Sequence, residues 1–164
     1  MNGFVELQRP DAAKLSGATA HAEVLRERYG ELEGEALLRV MLEWEYKGRI
    51  ALVSSFGAEA AVLLDMVARI DPATPVIFID SGKLFHHTLT YRGILVRRLG
   101  LRDVRTVEPI PFNLAGHDPD GALWQRNPNL CCYLRKALPF ERALGGFDAW
   151  ITGRKRDHGG ERGG

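Results

Sequence analysis

Apolar residues change their spacing along the chain, and each change marks an element. From Ala20 to Tyr29 and from Gly34 to Lys47 they fall at helical intervals. In the second stretch Leu37, Leu38, Met41 and Leu42 make one face and Glu43 and Glu45 the other, so two helices are predicted first. The texture then shortens. Ile50-Ala-Leu-Val53 is a brief apolar run stopped by Ser54-Ser-Phe-Gly57, and Ala58 to Ile70 returns to helical spacing. Strand, turn and helix recur in Val76-Ile-Phe-Ile79, Asp80-Ser-Gly-Lys83 and Leu84 to Leu99, and a third strand follows at Val104 to Val107.

Strands that are apolar without alternation are buried on both faces, which predicts an α/β fold: an open, mostly parallel sheet with helices on both faces. The stretch from Pro109 to Asn129 carries four of the eight prolines and is expected to form a long functional loop. Tyr133 to Leu144 reads as a helix interrupted near Pro139, and Ala149-Trp-Ile-Thr152 as a fourth strand running into Gly153-Arg-Lys-Arg156. Residues 1–19 are weakly patterned and expected to be a loosely ordered arm. A length of 164 residues with 45% hydrophobic content suffices for one core, so residues 20–164 are expected to form a single domain.

Composition narrows the function classes. A formal charge of +1 gives no broad electrostatic case for nucleic acid or a membrane surface, although local basic clusters can still hold a small anion. No signal-like segment opens the chain and no apolar run reaches spanning length, so a cytoplasmic location is expected. Two cysteines cannot make a disulfide scaffold, and in a reducing compartment they point to metal or redox chemistry.

Those cysteines, Cys131 and Cys132, are adjacent. Neighbouring residues are poorly placed to close an ordinary disulfide, but two thiolates can approach one metal centre, and Arg135 and Lys136 close behind favour the thiolate form. Burial as small apolar side chains is the plainer alternative. In an open parallel sheet the carboxyl ends of the strands form the ligand crevice, and three strand ends here carry polar loops. Ser54-Ser-Phe-Gly-Ala-Glu59 offers hydroxyls and a helix entry to a phosphate or sulfate, or is merely a capped turn. Asp80-Ser-Gly-Lys-Leu-Phe85 sets an acid and a cation at the next strand end, or caps a helix. Gly153-Arg-Lys-Arg156 concentrates three cations. Together the loops favour an anionic nucleotide pocket. His86 and His87 are expected on the surface, and Trp124 either stacks on a base or packs over the cysteine segment.

Taken in order, Ser54-Ser-Phe-Gly-Ala-Glu59, Val76 to Phe85, Leu123-Trp-Gln-Arg126, Cys131-Cys-Tyr-Leu-Arg-Lys136 and Trp150 to Arg156 resemble the assimilatory sulfonucleotide reductases, the adenylylsulfate and phosphoadenylylsulfate reductase family, from about Leu32 to Arg156. The resemblance implies a domain of the adenine nucleotide alpha-hydrolase type. It also implies reduction of adenosine 5′-phosphosulfate, or its 3′-phospho form, to sulfite with electrons from thioredoxin or glutaredoxin. By the family pattern the nucleotide is held by Ser54, Ser55, Phe56 and Gly57 and by Asp80, Ser81, Gly82, Lys83, Leu84 and Phe85. Lys136 and Arg154 face the phosphosulfate. Cys131 and Cys132 are two of four ligands to a [4Fe-4S] cluster, in the branch that uses the nucleotide without a 3′-phosphate.

Departures are Ser81 for the usual threonine, His86 and His87 for a proline and an acid, and His158 for a glutamine. The family's Cys-x-x-Cys pair and cysteine-bearing tail have no counterpart here, so the expectation is an amino-terminal portion with no catalytic nucleophile of its own. The alternatives are a catalytically dead nucleotide-binding subunit and an ATP pyrophosphatase, whose Ser-Gly-Gly-x-Asp-Ser loop is not matched. Homo-oligomerisation is left open.

Overall fold

The computed structural model describes residues 12–153, divided into two compact units, one running to Leu37 and one starting at Leu38. Helix α1 spans Ala12–Tyr29, in the first unit, and α2 spans Gly34–Val40. Residues 12–19, the described part of the expected arm, are helical. Good helix formers such as Ala12, Ala13, Lys14 and Leu15 carry this segment without an apolar stripe for the spacing to reveal. The rest of the expected arm, residues 1–11, lies outside the described residues. So do Arg154, Lys155, Arg156 and His158.

The second unit holds four strands: β1 (Ile50–Val53), β2 (Val76–Ile79), β3 (Val104–Val107) and β4 (Ala149–Thr152), all where the sequence places them. They pair in parallel in the order β3-β2-β1-β4, with Leu52 opposite Ile151 and Val53 opposite Ile77. The central strands β1 and β2 are buried except at their last residues, whereas the edge strands leave Arg105, Thr106, Trp150 and Thr152 exposed.

Helix α3 (Ala58–Ile70) joins β1 to β2, and α4 (His86–Leu99) joins β2 to β3. Both steps move the same way across the sheet. The return from β3 to β4 moves the other way, and right-handed crossovers then put its helices on the opposite face. Accordingly α3 and α4 touch each other, while the returning α8 (Leu138–Leu144) packs against β2 and β3. Leu52, Val76 and Phe78 meet Leu64, Val67 and Leu95 in the main core.

The return is helical in pieces instead of the long loop expected from its prolines: α5 (Pro111–His117), α6 (Leu123–Arg126) and α7 (Pro128–Cys132). Pro111 and Pro128 open their helices, a position where the missing N–H costs nothing. Asn127 caps α7, its side chain accepting from Leu130 N–H at 3.0 Å. From Pro128 to Leu144 the chain stays helical through a π-helical turn at Tyr133–Ala137, with Leu138 N–H reaching back to the Tyr133 carbonyl. The predicted interruption near Pro139 is thus absorbed by the wider turn ahead of it, which moves backbone carbonyls away from the proline ring. Among the described residues no helix is long and apolar enough to cross a membrane.

Candidate functional site

Strand order reverses its direction of travel between β1 and β4, the position where open α/β sheets place ligands. A cleft of about 340 Å³ opens there, at the carboxyl ends of the two strands. Leu52, Val53, Ala60 and Leu63 give it an apolar wall, Ser54 and Ser55 provide hydroxyls, Glu59 a carboxylate, and Thr152 and Gly153 the β4 side.

The Ser54–Gly57 loop is shaped from within. Ser54 is buried and its Oγ accepts the Phe56 N–H at 3.1 Å; Ser55 Oγ accepts the Gly57 N–H at 3.4 Å. Phe56 has φ = 53°, a left-handed backbone that a bulky residue rarely adopts. Its side chain is 1% exposed and meets Phe78 edge to face at 5.5 Å, so core packing offsets the strain. Phe56, expected to hold the nucleotide, is instead buried and does not line the cleft. Helix α3 follows at once, with Gly57 at its cap and no side chain capping it; the Ala60 N–H donates to the Gly57 carbonyl at 3.0 Å, and the amides ahead of it have no partner within the helix. Glu59 in the same cleft repels a second anion and suits hydroxyl or amine donors instead.

The Asp80–Phe85 loop belongs to a different neighbourhood and does not line this cleft. Asp80 accepts the Gly82 N–H at 2.9 Å, shaping its own turn rather than capping α4, whose cap position is Phe85. Gly82 has φ = +70°, and a Cβ there would come 3.3 Å from Arg135 Nη1. Lys83 donates to the Gly121 carbonyl at 2.9 Å, Leu84 packs on the main core, and Phe85 is 80% exposed.

The partner of this loop is the cysteine segment. Arg135 is buried. Its Nη1 donates to the Ser81 carbonyl at 2.8 Å, and its Nε and Nη2 donate to Asp118 Oδ2 at 3.1 and 2.5 Å. Asp118 is buried too and accepts the Leu123 N–H at 2.8 Å; the Arg135 hydrogen bonds hold its carboxyl below the ordinary carboxylate range. From sequence, Arg135 is expected to favour the cysteine thiolates and Asp118 has no assigned role. Their signal is spatial, since the two lie 17 positions apart.

Burial separates the two cysteines. Cys131 is 8% exposed in a small apolar cluster with Leu123 and Leu134, whereas Cys132 is exposed. Four residues on, one helical turn, the pattern repeats: Arg135 is buried and Lys136 exposed, with no hydrogen-bond or ion-pair partner for Lys136 among the described residues. His86 and His87 are exposed, as expected, and Trp124 is more than half exposed, which leaves it little part in packing. Arg154 lies outside the described residues.

Loops at the carboxyl ends of parallel strands, a serine-lined cleft and an adjacent-cysteine turn agree with one family model, the phosphoadenosine phosphosulfate reductase domain, which matches residues 49–163. The chain belongs to that family. Among the relatives of this reductase-domain chain are adenosine 5′-phosphosulfate reductases from Mesorhizobium japonicum, 44% identical over 85% of the chain and 55% of the relative, and from Chelativorans sp., 43% identical over 88% and 60%. The chain thus spans between half and two thirds of the length of these relatives. A crystal structure of phosphoadenylyl-sulfate reductase from Candida auris, in a phosphate complex, superposes with a TM-score of 0.68 at 25% identity, covering 82% of this chain and 67% of that one.

A [4Fe-4S] cluster takes four thiolates, and this sequence holds two cysteines, of which one is buried among apolar side chains. Among the described residues no three His, Cys, Asp or Glu side chains converge as a metal site. The residues present do not by themselves fit the cluster.

Proposed function

We propose that this chain is the nucleotide-binding part of an adenosine 5′-phosphosulfate reductase of sulfate assimilation. The observation that carries the reading is the cleft at the β1 and β4 carboxyl ends, where an apolar wall suited to a purine, the Ser55 hydroxyl and the uncapped first turn of α3 face one space. Glu59 is placed to accept from ribose hydroxyls. Lys136, exposed and unpaired among the described residues, is the cation assigned to the phosphosulfate. The names of the curated relatives favour the substrate without a 3′-phosphate.

In the reaction assigned to the whole enzyme, a thiolate attacks the sulfur of the phosphosulfate. The S–O bond to phosphate breaks, adenosine monophosphate leaves, and the sulfonate stays on the attacking sulfur. A dithiol donor, thioredoxin or glutaredoxin, then displaces sulfite and is itself oxidised to a disulfide. Such thiol traffic belongs in a reducing cytoplasm. Cys131 and Cys132 are the pair through which a cluster would be held, and no step of this reading runs through it. The chain contributes binding and charge, with Lys136 offsetting negative charge that builds on the departing phosphate.

Calorimetry on the 164-residue chain tests this. Adenosine monophosphate and adenosine 5′-phosphosulfate are expected to bind, each weakened about tenfold by Ser55→Ala and by Lys136→Ala, the effect of losing one hydrogen bond to a charged group. Absence of binding by the unmutated chain overturns the reading. Unchanged affinity in Lys136→Ala removes that residue from the site.

A further inference from the structure

The buried ion pair of Arg135 and Asp118 has no role in the function proposed above, yet it joins the Asp80–Phe85 loop to the cysteine segment. Its guanidinium reaches three ways: to Asp118 through two nitrogens and to the Ser81 carbonyl through the third, with Lys83 making a second tie from the same loop to Gly121. Gly82 is held free of side-chain bulk just where Arg135 passes. Arg135 also sits in the π-helical turn, whose widened pitch sets the rotation of its neighbours. Cys131 and Arg135 take the buried side, Cys132 and Lys136 the exposed side. Fixing Arg135 therefore fixes where Lys136 and Cys132 stand relative to the β2 loop. A buried pair is a poor source of net stability, because desolvation cancels most of its attraction, so a role in specifying geometry accounts better for its presence.

We propose that Arg135, held by Asp118, is a positioning residue that couples the Asp80–Phe85 loop to the turn carrying Cys132 and Lys136, so that a change at the loop is felt at the exposed thiol. The coupling shares only Lys136 with the proposed function, on which its placing of that residue rests, and its test needs no nucleotide.

The experiment follows alkylation of Cys132 by iodoacetamide in the full reduced chain, with peptide mapping to separate it from buried Cys131, alongside thermal unfolding. Asp80→Ala removes the acceptor that shapes the loop turn. With the ion pair intact, this substitution is expected to change the Cys132 rate about fivefold, the lower end of ordinary coupling between sites. In the Asp118→Leu/Arg135→Met double variant, which removes both charges and leaves no lone buried ion, the unfolding temperature is expected to stay near that of the parent. There Asp80→Ala is expected to leave the rate within about twofold. If the double variant does not fold, Arg135→Lys carries the same comparison, since it keeps a charge for Asp118 but loses the fork that reaches Ser81.

A Cys132 rate that responds to Asp80→Ala equally with and without the pair overturns the proposal, because the pair is then merely structural. A rate that ignores Asp80→Ala in the parent overturns it as well. Adenosine monophosphate binding, measured on the same proteins, reports separately on the proposed function. A chain that shows the coupling and binds no nucleotide loses only the latter reading.

Discussion

Phe56 is the residue on which the Ser54–Gly57 loop depends, since its left-handed backbone is held by a side chain seated against Phe78 and by the Ser54 hydroxyl. Phe56→Ala is expected to destabilise the chain by about 3–5 kcal/mol, the usual cost of emptying an aromatic site, and to slacken the cleft with it. Urea unfolding measures the first effect and calorimetry with adenosine monophosphate the second; a stable variant with unchanged affinity removes Phe56 from this role. Gly82 also has a left-handed backbone, one that disfavours a side chain. Gly82→Ala is expected to cost about 1–2 kcal/mol for the left-handed conformation alone, and more if Arg135 cannot yield to the new Cβ. Legibility at this scale is uneven. Ser54, Ser55 and Asp80 stand out in the sequence because polar residues directly follow apolar strands. Arg135 and Asp118 do not, because nothing in the local pattern distinguishes a buried ion from a solvated one.

Elements were more legible than residues. The four strands fall where short apolar runs end in polar loops, and α3 and α4 lie near their expected limits, because burial on both faces of a parallel sheet writes itself into composition. The helices of the return from β3 to β4 were hidden by prolines that punctuate a loop in one context and open a helix in another. The π-helical turns at Met41–Glu45 and Tyr133–Ala137 have no counterpart in a spacing argument built on regular helices.

The element carrying Arg135 also makes a pH prediction. Asp118 has a folded-state pKa below its unfolded value near 3.9, so its contribution to stability is full above that value and is lost as pH falls through the lower, folded one. Asp103 and Asp120, paired with Arg105 and Arg126 on the surface, are shifted the same way. Unfolding followed between pH 7 and about pH 2 is therefore expected to show an acid loss that is shallower in Asp118→Leu/Arg135→Met than in the parent. Parallel curves would show that Asp118 does not contribute to it.

For the molecule as a whole, two cysteines set a limit on chemistry. If both serve a cluster, none remains to attack sulfur; if one attacks, a four-thiolate cluster loses a ligand. The 164-residue chain, purified anaerobically with iron and sulfide, is expected to release no sulfite from adenosine 5′-phosphosulfate in the presence of reduced thioredoxin. A sulfite assay with an iron count and a Cys132→Ser control measures this. Turnover that the control abolishes would make the pair itself the redox centre.

Strand order carries one more consequence, for the chain while it is being made. Strand β1 is an interior strand, but its β4 partner comes far later in the sequence; Arg49 and Asp148, which flank the pairing and bond to each other, are 99 positions apart. A ribosome extending the chain at about 5–20 residues per second thus leaves one side of β1 open for several seconds. During that interval β1, β2 and β3 can assemble, while the second wall of the cleft, Thr152 and Gly153, does not yet exist. The complete cleft therefore forms only once β4 is in place, and until β4 emerges the apolar edge of β1 is a surface for chaperones to shield.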